Sequence, residues 1–166
     1  MTRTLSILAA LVLVAGGAPA RAQNPAQIAH ARSGASCPGC NLFQADFANV
    51  ELKGRSFAHA RLRQADMSTA VMNRSSFAGA DMRDVNAYGA VFGGASFAGA
   101  DLTNATFVGT FLEGANFSGA HLAGVNFSGA EMGRAVGLSQ RQLDQACGDA
   151  ATVVPRGLRL AFCVKP

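Results

Sequence analysis

The residues with the most obvious chemical potential are Cys37-Pro38-Gly39-Cys40, a C-x-x-C pair. Such a dithiol becomes reactive when a helix N-terminus or a nearby cation lowers a thiol pKa, normally after a strand in a βαβ unit. No βαβ pattern surrounds it here. A zinc site would need a second pair of ligands, and none stands at suitable spacing. No His follows Cys40, so the usual haem attachment pattern is absent. Cys147 and Cys163 complete an even set of four. His30, His59 and His121 are scattered, no G-x-S-x-G elbow occurs, and the glycines follow no phosphate-loop spacing. The sequence therefore offers no catalytic, cofactor or metal constellation and points away from an enzyme.

The elements that carry these residues come from a repeat. Composition already suggests one: 19 Gly, no Trp and 11 Phe in 166 residues. From Ala95 the chain reads ASFAG, ADLTN, ATFVG, TFLEG, ANFSG, AHLAG, VNFSG, AEMGR. The third residue of each unit is large and apolar every five residues from Leu42 to Met132, across 19 units without a frame break. Ala87 is the exception. Eight of the 11 Phe fall on this grid. Two positions earlier the residue is small, as at Ala60, Ala80 and Ala100, with Arg55 breaking the rule. The fifth residue is often Gly, which suits a chain that turns at every unit. A period of five matches neither helix nor strand alternation. It suits a chain that turns a corner once per unit, with one large and one small side chain pointing inward, and stacked neighbours supplying the stability.

Ala100-Asp101-Leu102-Thr103-Asn104 and Ala115-Asn116-Phe117-Ser118-Gly119 resemble the A-[DN]-L-x-x unit of the pentapeptide-repeat family, and the match runs from Cys40 to Arg134. The resemblance implies an all-β solenoid: a right-handed quadrilateral β-helix with four units per coil and just under five coils. At ~4.8 Å per coil the rod is roughly 23 Å long. Residues 20 apart then stack, so Phe57, Phe77, Phe97 and Phe117 form one inward ladder. Arg55 is expected to snorkel out of the first full coil and distort it. Ala87 leaves a gap in another ladder, which Tyr88 either fills or leaves as a dent.

The ends differ from the array. Residues 1–22 read as a signal peptide: Arg3, then the apolar run Ser6 to Ala15, then small-x-small sites ending at Ala20 and Ala22. The run is too short to span a bilayer, and no Cys at either site offers a lipid anchor. A periplasmic or secreted mature chain with no stable membrane anchor follows, and its net charge falls from +4 to +2 once Arg3 and Arg21 leave. Residues 23–39 are an N-terminal segment and cap, 40–134 the β-helix, and 135–166 a C-terminal helix and disulfide-closed tail. Ser139 and Gln142 form a capping box, with Leu138 and Leu143 at the staple positions and Gly148 as the stop. The apolar tail, including Val153, Val154, Leu158, Leu160 and Phe162, is expected to cover the last coil. Dimer contact through the C-terminal helix, as in gyrase protectors that this family includes, is the alternative role. Along the implied rod, Cys37 pairs with Cys40 and Cys147 with Cys163. Any other connectivity takes the tail back along the rod. Cys40 also falls on a small inward position, where a thiol simply packed in the core is the alternative.

Outward positions suggest what the rod does. Val71, Val91 and Phe111 precede central residues on one side of successive coils and form an apolar stripe, with Phe111 in a slot normally given to Asp, Asn or Ser. β-branched residues suit sheet surfaces without any partner; the aromatic among them favours a contact site. The neighbouring wall of Ser56, Ser76, Ser96, Ala58, Ala78 and Ala98 is flat. Lys53, Arg55, Arg61, Arg63, Arg74 and Arg83 interleave with Glu51, Asp66, Asp81 and Asp84, which reads as a solvated mixed face. The repeat segment carries 7 basic and 8 acidic residues, so it is not the acidic rod that a gyrase-protecting DNA mimic needs, and no nucleic-acid partner is expected. An exported, non-catalytic scaffold that binds an unidentified protein or itself is the reading these features favour. The DNA mimic and a thiol-disulfide redox protein using Cys37 and Cys40 are the alternatives.

Overall fold

The computed structural model describes residues 23–164; the signal peptide expected over 1–22 lies outside them. In chain order come helix α1 (Pro25–Arg32), a long array of single-residue parallel bridges, helix α2 (Gln140–Leu143), and strands β1 (Cys147–Gly148) and β2 (Ala161–Phe162). The array is a β-helix solenoid. From Asn41↔Arg61 to Asn116↔Val136, each bridge joins residues 20 apart. The chain therefore returns above itself after every four units.

One unit explains the rest. The Phe97 N–H donates to Asn116 O in the next coil (2.8 Å), and the Phe97 carbonyl accepts from Ala100 N three residues on (3.0 Å). The residue between, Gly99, has φ +65°. A turn whose third residue has positive φ turns the chain without straining a side chain when that residue is Gly. Eight corners carry other residues at positive φ: Gln44, Asn49, His59, Gln64, Thr69, Arg74, Asp84 and Asn104. All but Asn104 lie in the first half of the array.

The central residues from Leu42 to Met132 are buried, and so are most of the small residues beside them. Phe57, Phe77, Phe97 and Phe117 form one inward column with centroids 5.4, 5.3 and 5.2 Å apart. Ala87 is buried, whereas Tyr88 is 57% exposed and does not fill the gap beside it. Ser75 and Thr110 take small inward positions, and each hydroxyl donates to a carbonyl, Leu52 O at 2.7 Å and Ala87 O at 3.1 Å. A buried hydroxyl left without a partner would be costly. Arg55 points out to solvent, and its N–H leaves the usual turn pattern to bond Ser75 Oγ at 3.1 Å. The coil is otherwise regular, with Gly54 N donating to Asn73 O (2.9 Å) and Ser76 N to Arg55 O (2.8 Å), so the expected distortion is confined to that one bond.

The N-terminal end is closed by helix α1, within the segment expected as a cap, although no helix was expected there. Asn24 caps α1 through a bond from Gln27 N (3.1 Å), and Pro25 occupies its first turn. Ile28 and Ala31 pack on the core. Gln27 Oε1 accepts from Asn41 N at 2.7 Å, and the Arg32 guanidinium donates to Asp46 O. The inward series also begins one unit before Leu42. Cys37 is buried, and its N–H bonds Ser56 O at 2.8 Å.

At the other end α2 is a single turn and does not reach the stop expected at Gly148. That residue belongs to β1, because Phe127 N takes Cys147 O (2.7 Å) into the ladder. The capping box forms: Ser139 N donates to Gln142 Oε1 (2.9 Å) and Gln142 N to Ser139 Oγ (3.4 Å). Gln142 Nε2 then donates to Phe117 O and Ala120 O, at 2.9 and 3.0 Å, occupying carbonyls of the last coil. The inserted turn lengthens the ladder step, so Asn126 pairs with Cys147 and Glu131 with Val153. Of the tail expected over this end, Val154, Leu158 and Leu160 pack against the core. Val153 and Phe162 are exposed, a departure from that expectation: Val153 joins the ladder as an outward residue opposite Glu131, and Phe162 lies on β2, which pairs with β1 and has both residues facing solvent. Cys37–Cys40 and Cys147–Cys163 are disulfides with Cα atoms 5.4 and 4.8 Å apart. Among the described residues there is no free cysteine.

Candidate functional site

Strict stacking decides what the outer walls present. The bridges Glu51↔Val71, Val71↔Val91, Val91↔Phe111 and Phe111↔Glu131 place the three apolar residues in one column with a carboxylate at each end. Their N–H groups bond the coil below, Val71 to Val50 O (2.8 Å), Val91 to Ala70 O (2.8 Å) and Phe111 to Ala90 O (3.0 Å). Backbone pairing thus fixes the spacing. Two coil steps give an apolar strip ~10 Å long. Val71 and Val91 are half-buried, and Phe111 is 38% exposed.

The Phe111 ring lies along the wall. A Cβ at Gly93 would stand 3.0 Å from Phe111 Cε1, so the ring fits where that coil has no side chain. Lys53, Gly54, Asn73, Arg74, Gly93 and Phe111 border a shallow groove of about 610 Å³. Sequence reading found the column but not the groove, whose signal was Gly93 in place of a side chain 20 residues after Asn73. On the adjoining wall Ser56, Ser76 and Ser96 stack through successive bridges.

The charged residues are paired more specifically than the reading of a mixed face suggested. Arg83 Nε and Nη2 grip Asp81 Oδ1 and Oδ2 at 2.7 and 2.6 Å. That fork holds the Asp81 carboxyl below its ordinary pKa and pushes Arg83 above its own. Arg134 Nε donates to Glu113 Oε2 at 2.8 Å and lowers the Glu113 pKa. Arg63 Nε lies 3.4 Å from Asp84 Oδ2. Beside these pairs, Phe43, Arg61, Arg63, Gln64, Asp81 and Arg83 line a hollow of about 270 Å³. Nothing in the sequence alone gathered this set. Its trace was Phe43, Arg63 and Arg83 at steps of 20.

Both sulfurs of Cys37-Pro38-Gly39-Cys40 are oxidised, and Cys37 is buried, so the pair presents no thiolate. Cys147–Cys163 ties β1 to the residue after β2. His59 stands at an exposed corner and His121 on another column, pairing with Asp101. Among the described residues no three His, Cys, Asp or Glu side chains converge as metal ligands. None of the described helices is long and apolar enough to cross a membrane.

The family model described as pentapeptide repeats matches in eight copies, over residues 56–86, 82–119 and 95–134. Among solved structures, a pentapeptide repeat protein from the Arabidopsis thaliana thylakoid lumen is 32% identical, with 54% of this chain and 55% of that one covered and a TM-score of 0.32. This chain therefore spans about half of that relative's length. A pentapeptide repeat protein from the cyanobacterium Cyanothece 51142 is 19% identical over 79% of this chain and 97% of that one, TM-score 0.37. QnrB1, a plasmid-mediated fluoroquinolone resistance protein, is 19% identical over 74% and 76%, TM-score 0.29. No curated protein matches. The matched repeats keep the frame of the buried central residues, and residues 56–134 of this chain match the pentapeptide-repeat family model.

Proposed function

We propose that the protein is an exported, non-catalytic scaffold that binds another protein, or a second copy of itself, through the wall carrying Val71, Val91 and Phe111. Its frame in this reading is a right-handed quadrilateral β-helix of just under five coils, with α2 as the cap. The observation that carries the proposal is the exposed aromatic held flat in an apolar column whose spacing the backbone sets. A flat, rigid strip of this kind loses little conformational entropy on docking. Its small extent suits a weak or transient contact more than an obligate one. Export is supported by the leader pattern of residues 1–22 and by two disulfides, which persist in oxidising compartments.

The DNA-mimic alternative has less support, because the near-neutral charge of 40–134 gives no continuous acidic surface. The redox alternative is weakened by the burial of Cys37. The test is parallel capture from the exported fraction with wild type and Phe111→Ser, with sedimentation of each alone. Loss of a specific partner, or of self-association, in the folded variant supports the wall as the contact. Identical partners and identical sedimentation for both forms overturn it.

A further inference from the structure

The geometry points to a second binding site, on a wall that does not carry the Val71 column: the hollow lined by Phe43, Arg61, Arg63, Gln64, Asp81 and Arg83 takes a small ring-bearing phosphate monoester. Three guanidinium side chains border it against one carboxylate. Asp81 binds Arg83 through both its oxygens, at 2.7 and 2.6 Å, and Asp84 meets Arg63 at 3.4 Å. Asp101 lies 3.5 Å from Arg83 Nε. These contacts hold the Arg63 and Arg83 side chains while using a minority of the N–H donors that two guanidinium forks carry. The remaining donors suit the oxygens of an oxyanion, which Arg recognises bidentately.

The other lining residue decides the rest of the ligand. Phe43 falls on the outward position of its unit, two places after Asn41, and is half-buried. It gives the polar hollow one apolar wall, suited to a flat ring beside the phosphate. About 270 Å³ is at the lower limit of ligand sites, which restricts the occupant to a compact molecule. The carboxylates have a further role. Without them three guanidinium groups would repel one another; with them the charge is largely balanced, so an oxyanion is held by the directed N–H donors of Arg63 and Arg83 and not by a net positive field.

The test uses phenyl phosphate and inorganic phosphate as probes, titrated into the oxidised mature protein and followed by calorimetry and by backbone amide shifts. The site predicts saturable binding of both, with shifts centred on Phe43, Arg63 and Arg83, and with phenyl phosphate tighter by about fivefold through the apolar wall. Arg63→Gln weakens both probes by about tenfold, as losing a hydrogen bond to a charged group does. Arg63→Lys keeps the charge but not the fork, and also weakens both. Phe43→Ala removes the preference for phenyl phosphate alone. Arg74→Gln, on the other wall, changes neither. Equal weakening by Arg74→Gln and Arg63→Gln, or no saturable binding of either probe to folded wild type, overturns the site. Both outcomes leave the Phe111 capture experiment unaffected.

Discussion

The ring of Phe97 stacks on that of Phe77 with centroids 5.3 Å apart and planes 8° from parallel. Phe117 continues the stack above at 5.2 Å, and Phe92 and Phe107 meet Phe97 edge-on at 5.4 and 5.7 Å. Phe97 is therefore enclosed by four rings, all with settled geometry.

Replacing Phe97 with Ala is expected to lower unfolding free energy by about 3–5 kcal/mol, because the column cannot collapse around the void while the backbone ladder holds its spacing. Tyr88→Ser, one outward position in the same array, should change it by less than about 0.5 kcal/mol. Urea denaturation of the two variants checks the contrast.

The corners predict opposite signs for two substitutions. Gly109 has φ +64°, and an added Cβ would meet nothing within 4 Å. Gly109→Ala therefore suffers backbone strain alone, about 1–2 kcal/mol. Arg74 already sits at φ +59°. Arg74→Gly relieves that strain and loses part of the gain to chain entropy, leaving a stabilisation of about 0.5 kcal/mol. Melting temperatures that shift in the same direction for both would contradict this account of the corners.

The Cys147–Cys163 bond closes a sequence separation of 16. Changing both residues to Ser should cost about 3 kcal/mol in the chain-entropy account, whereas the shorter Cys37–Cys40 loop should cost about 2 kcal/mol. The far-ultraviolet spectrum at low temperature should survive in both, since the ladder from Asn41 onward does not depend on either bond. Thermal melts under oxidising conditions separate the two values.

Acid should loosen the C-terminal end. The Asp149 carboxylate accepts from Gly129 N (2.8 Å), Ala151 N and Thr152 Oγ1 (both 3.0 Å), and these bonds, led by Gly129, hold its pKa below the ordinary value. A depressed folded-state pKa stabilises fully above the unfolded value, and the contribution is lost as pH falls through the folded value. Asp81 and Glu113 act in the same direction. Wild type should therefore lose melting temperature on acidification below about pH 4. Asp149→Asn should start lower at neutral pH and fall less steeply. Parallel slopes for the two forms would remove Asp149 from the explanation.

The array was legible because its rule is local and periodic. A large residue at every fifth position, from Leu42 to Met132, has one place to go once neighbours stack, and the 20-residue bridges follow from four such units. The Val71, Val91 and Phe111 column was legible for the same reason. What the repeat does not govern was harder to read. Helix α1 had signals in Asn24 and Pro25, a cap followed by a first-turn proline, but its face is narrow, with Ile28 and Ala31 the residues turned to the core. The early end of α2 depends on Phe127 seeking a ladder partner, which no local pattern records. The hollow beside Phe43 depends on where long Arg side chains settle among carboxylates, and stacking order alone does not determine that.

Both ends of the solenoid are occupied, by α1 and the Cys37–Cys40 pair at one and by Gln142, β1 and the tail at the other. A parallel ladder with bare ends is a template on which another molecule can add its own coil, and a third can follow. Seen this way, the closures end the ladder at a finite length, and opening one of them is a route to head-to-tail fibrils.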